Sequence, residues 1–548
     1  MIIKSFFKSI VAIVLILALF SSCQKNIEGN WKMNVIHALE EDPSIVASVD
    51  FLKLINKSAI LDSDYIPDQY KGMMAMYVQN TLQSENLGFQ IEGNNHFVVA
   101  LDSMAIVKYV FFMADVLDEQ KMSKSLKFLL GGAKEVDEYN FLSTNQGVVF
   151  GWDKNHLIGL IKGPDINDLN FSSKKTLKKL LDSKSISSKK QDGLSNFLDR
   201  EDDANAFIYL SAYSKMVASI SGINYTSPKS DSNSSEKIIT ALNFLEGKIE
   251  LSADFISDEK NKIVLFKDKP LNSTFFDYLT SNEKLISFFF GNFNLDALVN
   301  NSTLKNQYAD LYAELDLFLA PFDLQLTDLS NILTGECSFS LLDIEFNSDN
   351  IENEFDPFGD QDDGFFDDVS EEEFYDYLDN YDDLKSSYSF SYLLSFSLHD
   401  TSAIIDLLNT NFHDLDKGNI YLINEEISAL VENNVLFLSS SELVLNIINQ
   451  NGRLTTFPKT TELTAPAYGH IVTDTSQLPN SFKKYLENEF GNSTTEILLL
   501  FKSIEYKADN TNASFEITFE NVKENSLKIL LETTLQEFSK NTPFELTI

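Results

Sequence analysis

The sequence predicts an α+β protein of two similar halves, each a mostly antiparallel sheet with helices packed on one face. Three observations lead there. An apolar, strand-like run that switches to helical spacing at Asp, Ser or Asn returns along the whole chain, and the order of these runs repeats once. An apolar share of 43%, with 12% aromatics and 44 Phe, belongs to a folded chain whose cores are rich in sheet, since aromatic rings pack well on a pleated surface. At 548 residues the chain exceeds one ordinary core, so two or more domains are expected.

The N-terminus comes first. Lys4 and Lys8 make a positive start, Ile10 to Phe20 is an unbroken apolar run, and Ser21-Ser22-Cys23 closes it. Eleven apolar residues fall short of the roughly 20 needed to cross a bilayer, but the length suits a cleaved signal peptide over residues 1–22. Small residues before the cut expose the backbone to a peptidase, and the thiol of Cys23 is the acylation point. Residues 23–42 then read as a tether.

The recurring unit opens at Pro43 to Ser58 (PSIVASVDFLKLINKS), with Asp50 where an N-cap belongs. It returns at Asn205 to Ile220, Ile286 to Asn301, Ser391 to Asn409 and Tyr468 to Leu486. Shorter versions run from His96 to Val110 and from Asn434 to Ile448. An alternating run closes each half, Gly247 to Phe266 in the first and Ala513 to Glu532 in the second. The halves are expected at 43–270 and 285–548, and the matching order points to an internal duplication.

One stretch breaks the pattern. Asp343 to Asp383 holds 18 Asp or Glu and no Lys or Arg, interleaved with aromatics. Three readings stand: a solvated loop, a Ca²⁺ site, or an acidic-aromatic segment that orders on a partner. Asp360, Asp362, Asp363, Asp367 and Asp368 would supply hard oxygen ligands. The calcium-loop register is wrong, however: with Gly364 at its sixth position, Gly359 and Gln361 stand where carboxylates or amides belong.

No catalytic residue is assigned. The chain lacks GxSxG, a P-loop, GxGxxG and HExxH, and no cofactor is expected. His37, His96, His156, His399, His413 and His470 are scattered with no pair at ligand spacing. His399-Asp400 with Ser402 holds triad residue types, but reads better as a helix cap. Cys337, the second of two cysteines, lies in an alternating run and reads as a buried strand residue.

The net charge is −39. Removal of Lys4 and Lys8 with the signal peptide subtracts two more positive charges, giving −41 for the mature chain. Nucleic acid is thereby a poor partner, because phosphate binding needs Lys and Arg to release counterions. Flat adsorption to an anionic bilayer is disfavoured as well.

With Cys23, the phrase around Lys57-Ser58 and the closing Asn525-Ser526-Leu527 in view, the chain resembles the Bacteroidetes lipoproteins known as domain of unknown function 4836. Those chains share a lipobox, a Pro–strand–Asp–Leu-x-x-Leu–Lys-Ser phrase and a strand followed by Asn-Ser-Leu and a helix. The resemblance implies an outer-membrane lipoprotein of unassigned activity, held to the membrane by lipid; the role expected for it is non-enzymatic binding of an envelope protein or a surface polymer, with capture of a ligand or Ca²⁺ as the alternative. The acidic insert is not a family feature. Gln24-Lys25-Asn26-Ile27-Glu28 matches surface-export signals only in part, so the periplasmic and outward faces both stay open.

Overall fold

A computed structural model describes residues 31–38, 45–101, 107–130, 139–143, 148–162, 173–184, 193–209, 237–256, 264–267, 286–301, 324–346, 388–414, 420–424, 427–449, 465–472 and 497–541, with scattered positions at 305–320 and 483–495. In chain order come α1 (Trp31–His37), β1 (Ile45–Val49), α2 (Phe51–Ser58), α3 (Asp68–Met76), α4 (Ser84–Leu87), β2 (Asn95–Leu101), β3 (Val107–Asp115) and α5 (Glu119–Leu130). Then follow β4 (Asn140–Ser143), β5 (Val148–Trp152), β6 (His156–Lys162), α6 (Ser173–Ser183), α7 (Leu194–Leu198), β7 (Ala204–Tyr209), β8 (Lys237–Leu245) and β9 (Lys248–Ile256). The middle stretch holds β10 (Ser287–Asn292), α8 (Leu295–Asn300), α9 (Leu326–Ile332), β11 (Leu333–Phe346), β12 (Tyr388–Leu398), α10 (Thr401–Asn411) and β13 (His413–Asp414). It continues with β14 (Ile420–Leu422), β15 (Ser428–Glu432), β16 (Val435–Ser439), α11 (Glu442–Asn449), β17 (Ala467–Val472) and β18 (Phe501–Ala508), and the chain closes with β19 (Asn512–Phe519) and α12 (Ser526–Asn541).

These elements form two units. Unit 1 is residues 1–262 together with 511–548, and unit 2 is residues 263–510. The division differs from the sequence reading at both ends of the second half. Residues 264–267 join unit 2, where the Lys267 N–H donates to the Asn292 carbonyl at 2.9 Å. β19 and α12, expected in the second half, belong to unit 1, because β19 pairs along its length with β9 (Phe515 opposite Leu251) and α12 packs on α2. The N-terminal tether is also shorter than 23–42. Trp31, Val35 and Ile36 of α1 are buried in unit 1, one apolar face of a short helix.

Every strand pair in register among the described residues is antiparallel. In unit 1 the pairs are β1–β2, β1–β7, β2–β3, β3–β6, β4–β5, β5–β6 and β7–β8, with β8–β9 and β9–β19 beyond them. In unit 2 the pairs β10–β11, β10–β17, β11–β12, β12–β16, β14–β15, β15–β16 and β17–β18 reproduce the first seven one for one, with β13–β14 beyond them.

Helices lie on both faces of each sheet rather than on one. Strand alternation sends Phe111 and Met113 to one side of β3 and Phe112 and Ala114 to the other. The first side packs on α1, α6 and α7 through Trp31, Leu177, Leu181 and Phe197; the second packs on α5 through Met122 and Leu126. Unit 2 repeats the plan, with Leu445 and Ile448 of α11 on one side and Ile404 and Leu408 of α10 on the other. A strand covered on both faces is buried at every residue, as Val148–Trp152 is.

Local signals act where expected. Asp50, Asn294 and Asp400 each accept a hydrogen bond from the backbone N–H three residues on, and so cap α2, α8 and α10. The run from His96 to Val110 departs from the strand-to-helix reading, because Val107 onward forms β3, paired with both β2 and β6. A fully buried apolar run looks alike in either conformation until its neighbours are known.

Candidate functional site

Among the described residues of unit 1, two polar networks stand out. The first joins the two ends of the chain. Lys57 Nζ donates to Asp203 Oδ2 and to the Phe244 carbonyl, each at 2.5 Å. Lys53 Nζ lies 2.9 Å from Asp203 Oδ1 and also donates to the Glu201 carbonyl. The Phe244 N–H donates to Asp203 Oδ2 at 2.7 Å. From the far end, Asn525 Nδ2 donates to the same Phe244 carbonyl at 2.9 Å, while its Oδ1 accepts from the Leu527 N–H at 3.0 Å and opens α12.

The Asp203 side chain is wholly buried. Burial alone would raise its pKa, but the bonds from Lys57 and Lys53 outweigh it and hold the carboxyl below its ordinary value. Beside it, Arg200 donates to Asp202 at 3.0 Å and to Asp254 at 3.1 Å, and Asn243 Nδ2 donates to Asp202 at 2.8 Å. This network ties α2, the start of β7, the ends of β8 and β9, and α12 into one joint. Its lysines are committed to a carboxylate and two carbonyls, a structural use of charge rather than a reactive one.

The second place lies beneath α1. Trp31 Nε1 donates to Asp115 Oδ1 at 2.8 Å, and its ring meets His156 edge-on at 4.6 Å. His156 Nδ1 sits 3.0 Å from Asp153 Oδ1, and Lys184 also reaches Asp153. Lys32 lies 3.6 Å from Asp115; its pKa is lowered by burial, against the pull of that carboxylate. Deeper in, His96, Ser48 and Asn205 stand in register across β2, β1 and β7. All three are buried, and His96 Nδ1, Ser48 Oγ and both side-chain amide atoms of Asn205 have no protein partner. Burial, reinforced by Lys32, holds the His96 pKa well below its ordinary value, so the imidazole is neutral.

Among the described residues of unit 2 a comparable group lies on β17 and β18. His470 on β17 stacks on Phe288 and lies 3.9 Å from Glu505 on β18. Tyr468 also faces Glu505, and burial followed by that charge raises its pKa.

Cys23 and the insert residues Asp360, Asp362, Asp363, Asp367 and Asp368 lie outside the described residues. Among the described residues no group of three or more His, Cys, Asp or Glu side chains is placed to hold a metal ion. Asp400 accepts from the Ala403 N–H at 3.1 Å and from Ser402 Oγ, which makes the His399-Asp400-Ser402 segment a helix cap. Cys337 sits half-buried on β11, where burial pushes its thiol up to about 11. Sequence reasoning missed Asp203 and Phe244. The only signal for Asp203 was a run of three acids, Glu201-Asp202-Asp203, ahead of a strand, and a backbone carbonyl such as that of Phe244 leaves none.

The family model described as Domain of unknown function (DUF4836) matches residues 34–527. No curated protein matches the chain. Among solved structures, crystal form III of TP0453 aligns at 6% identity and a TM-score of 0.26, covering 43% of this chain and 82% of that one. Crystal form IV aligns at 9% identity and a TM-score of 0.24, covering 41% and 83%. Likeness at this level carries no weight for fold or function.

Proposed function

We propose, for a chain that belongs to the DUF4836 family, the role of a lipid-anchored envelope protein that binds a second envelope protein or a surface polymer and performs no chemistry of its own. The observation that carries this reading is the N-terminus: two lysines, eleven apolar residues, two serines and Cys23, the layout of a cleaved signal ending at an acylated cysteine. Three acyl chains on one cysteine hold a protein far more firmly than the marginal anchoring of one. Among the described residues no helix is long and apolar enough to cross a membrane.

The joint at Asp203 supports the non-enzymatic part. Lys57 and Asn525, from the two phrases that carry the family resemblance, meet at the Phe244 carbonyl, so both build the fold. The seven matched strand pairings support descent of the two units from one duplicated ancestor. Metabolic labelling with radioactive palmitate tests the anchor. The label is expected on the wild-type chain and absent from Cys23→Ser, which leaves the membrane pellet; label retained by that variant overturns the reading. Protease shaving of intact cells then decides the face, since only a surface protein releases peptides before the outer membrane is opened.

A further inference from the structure

We infer that the exposed lysine face of α6 rests on the anionic headgroups of the membrane that holds the anchor. The inference deepens the proposed function and rests on acylation of Cys23. Seven residues separate Cys23 from Trp31, where α1 begins; fully extended they reach about 25 Å. α1 is part of the folded unit, not of the tether: Trp31, Val35 and Ile36 share a core with Leu177, Leu180 and Leu181 of α6, and Asn34 Nδ2 donates to the Lys184 carbonyl at 2.9 Å. The side of unit 1 that carries α1 and α6 is therefore held within a short distance of the acyl chains.

One helix on that side, α6, runs against the molecule's own charge. α6 reads SKKTLKKLLDS, and Lys174, Lys175, Lys178 and Lys179 are all exposed, with Asp182 the one acid on the helix. At 100° per residue the four lysines fall within an arc of roughly 140°, opposite the buried leucines. In a chain of net charge −39, such a face is a local exception beside the anchor. Long-range repulsion from the remaining acids is screened over about 8 Å at physiological salt, whereas lysines at the headgroups gain from the surface potential. The acyl chains supply the proximity that net charge opposes; the lysines then choose which side of unit 1 faces the lipid.

The test uses the acylated mature protein in vesicles doped with a dansyl-headgroup lipid. Both tryptophans of the chain, Trp31 and Trp152, belong to unit 1, so energy transfer from tryptophan to dansyl reports how closely that unit sits to the surface. Transfer is expected to be high in phosphatidylglycerol vesicles and at least twofold lower in phosphatidylcholine vesicles or in high salt. The variant Lys174→Glu, Lys175→Glu, Lys178→Glu, Lys179→Glu should show the same twofold loss while still floating with the vesicles. A Lys→Gln set at the same positions, with an unchanged melting curve, guards against misfolding. Equal transfer in wild type and both variants, with flotation intact, overturns the docking and leaves the anchor standing. Absence of flotation overturns the anchor and the docking with it.

Discussion

Replacing Asp203 by Asn tests whether the joint between the chain ends holds unit 1 together. The substitution keeps the shape and lets the Phe244 N–H keep an acceptor, but removes the charge that receives Lys53 and Lys57. Hydrogen bonds to a charged group contribute about 1.5–3 kcal/mol against about 0.5–1.5 for neutral ones, so each of three bonds loses roughly 1 kcal/mol. Lys53 is more than a third exposed, and its share is discounted for solvent screening. The sum is about 2–3 kcal/mol. For a unit of this size that lowers the melting midpoint by about 4–10 °C. Tryptophan fluorescence is the assay, because both tryptophans report unit 1. Because the native pKa of Asp203 is depressed, its stabilisation is complete above the unfolded value of about 3.9 and disappears as pH falls through the native value. The gap between wild type and variant should therefore be constant from about pH 5 to pH 7 and close below about pH 4. A midpoint within about 1 °C of wild type at pH 7 would refute the assignment.

Two further outcomes follow from the same structure. Asn525→Ala removes both the bond to the Phe244 carbonyl and the cap on Leu527; it should cost about 1–2 kcal/mol and speed hydrogen exchange in the first turns of α12, with unit 2 unchanged. Cys337, its thiol pushed up to about 11 by burial, should resist iodoacetamide at pH 8 in the folded protein and react at once in urea; rapid alkylation of the native chain by mass spectrometry would contradict its place on β11.

The elements that sequence reading found are those with local causes. Asp50 and Asp400 could be read as caps because an N-cap is satisfied three residues away. The order of the strand runs could be read because side-chain alternation is written into each run. The run at His96 failed because β3 is covered on both faces and so loses its alternation. The charge face of α6 was spelled out in SKKTLKKLLDS, but only the fold packs that helix on α1.

Sequence alone determined the antiparallel α+β class and the family likeness, since each rests on composition or on patterns within a few residues. Tertiary structure decided where the units end, that α1 is part of the fold, and that Lys57, Asp203, Phe244 and Asn525 form one joint. Those facts depend on pairings such as β9 with β19, between segments more than two hundred residues apart. Many alternating strands could offer the same edge, and only the packed whole selects the partner.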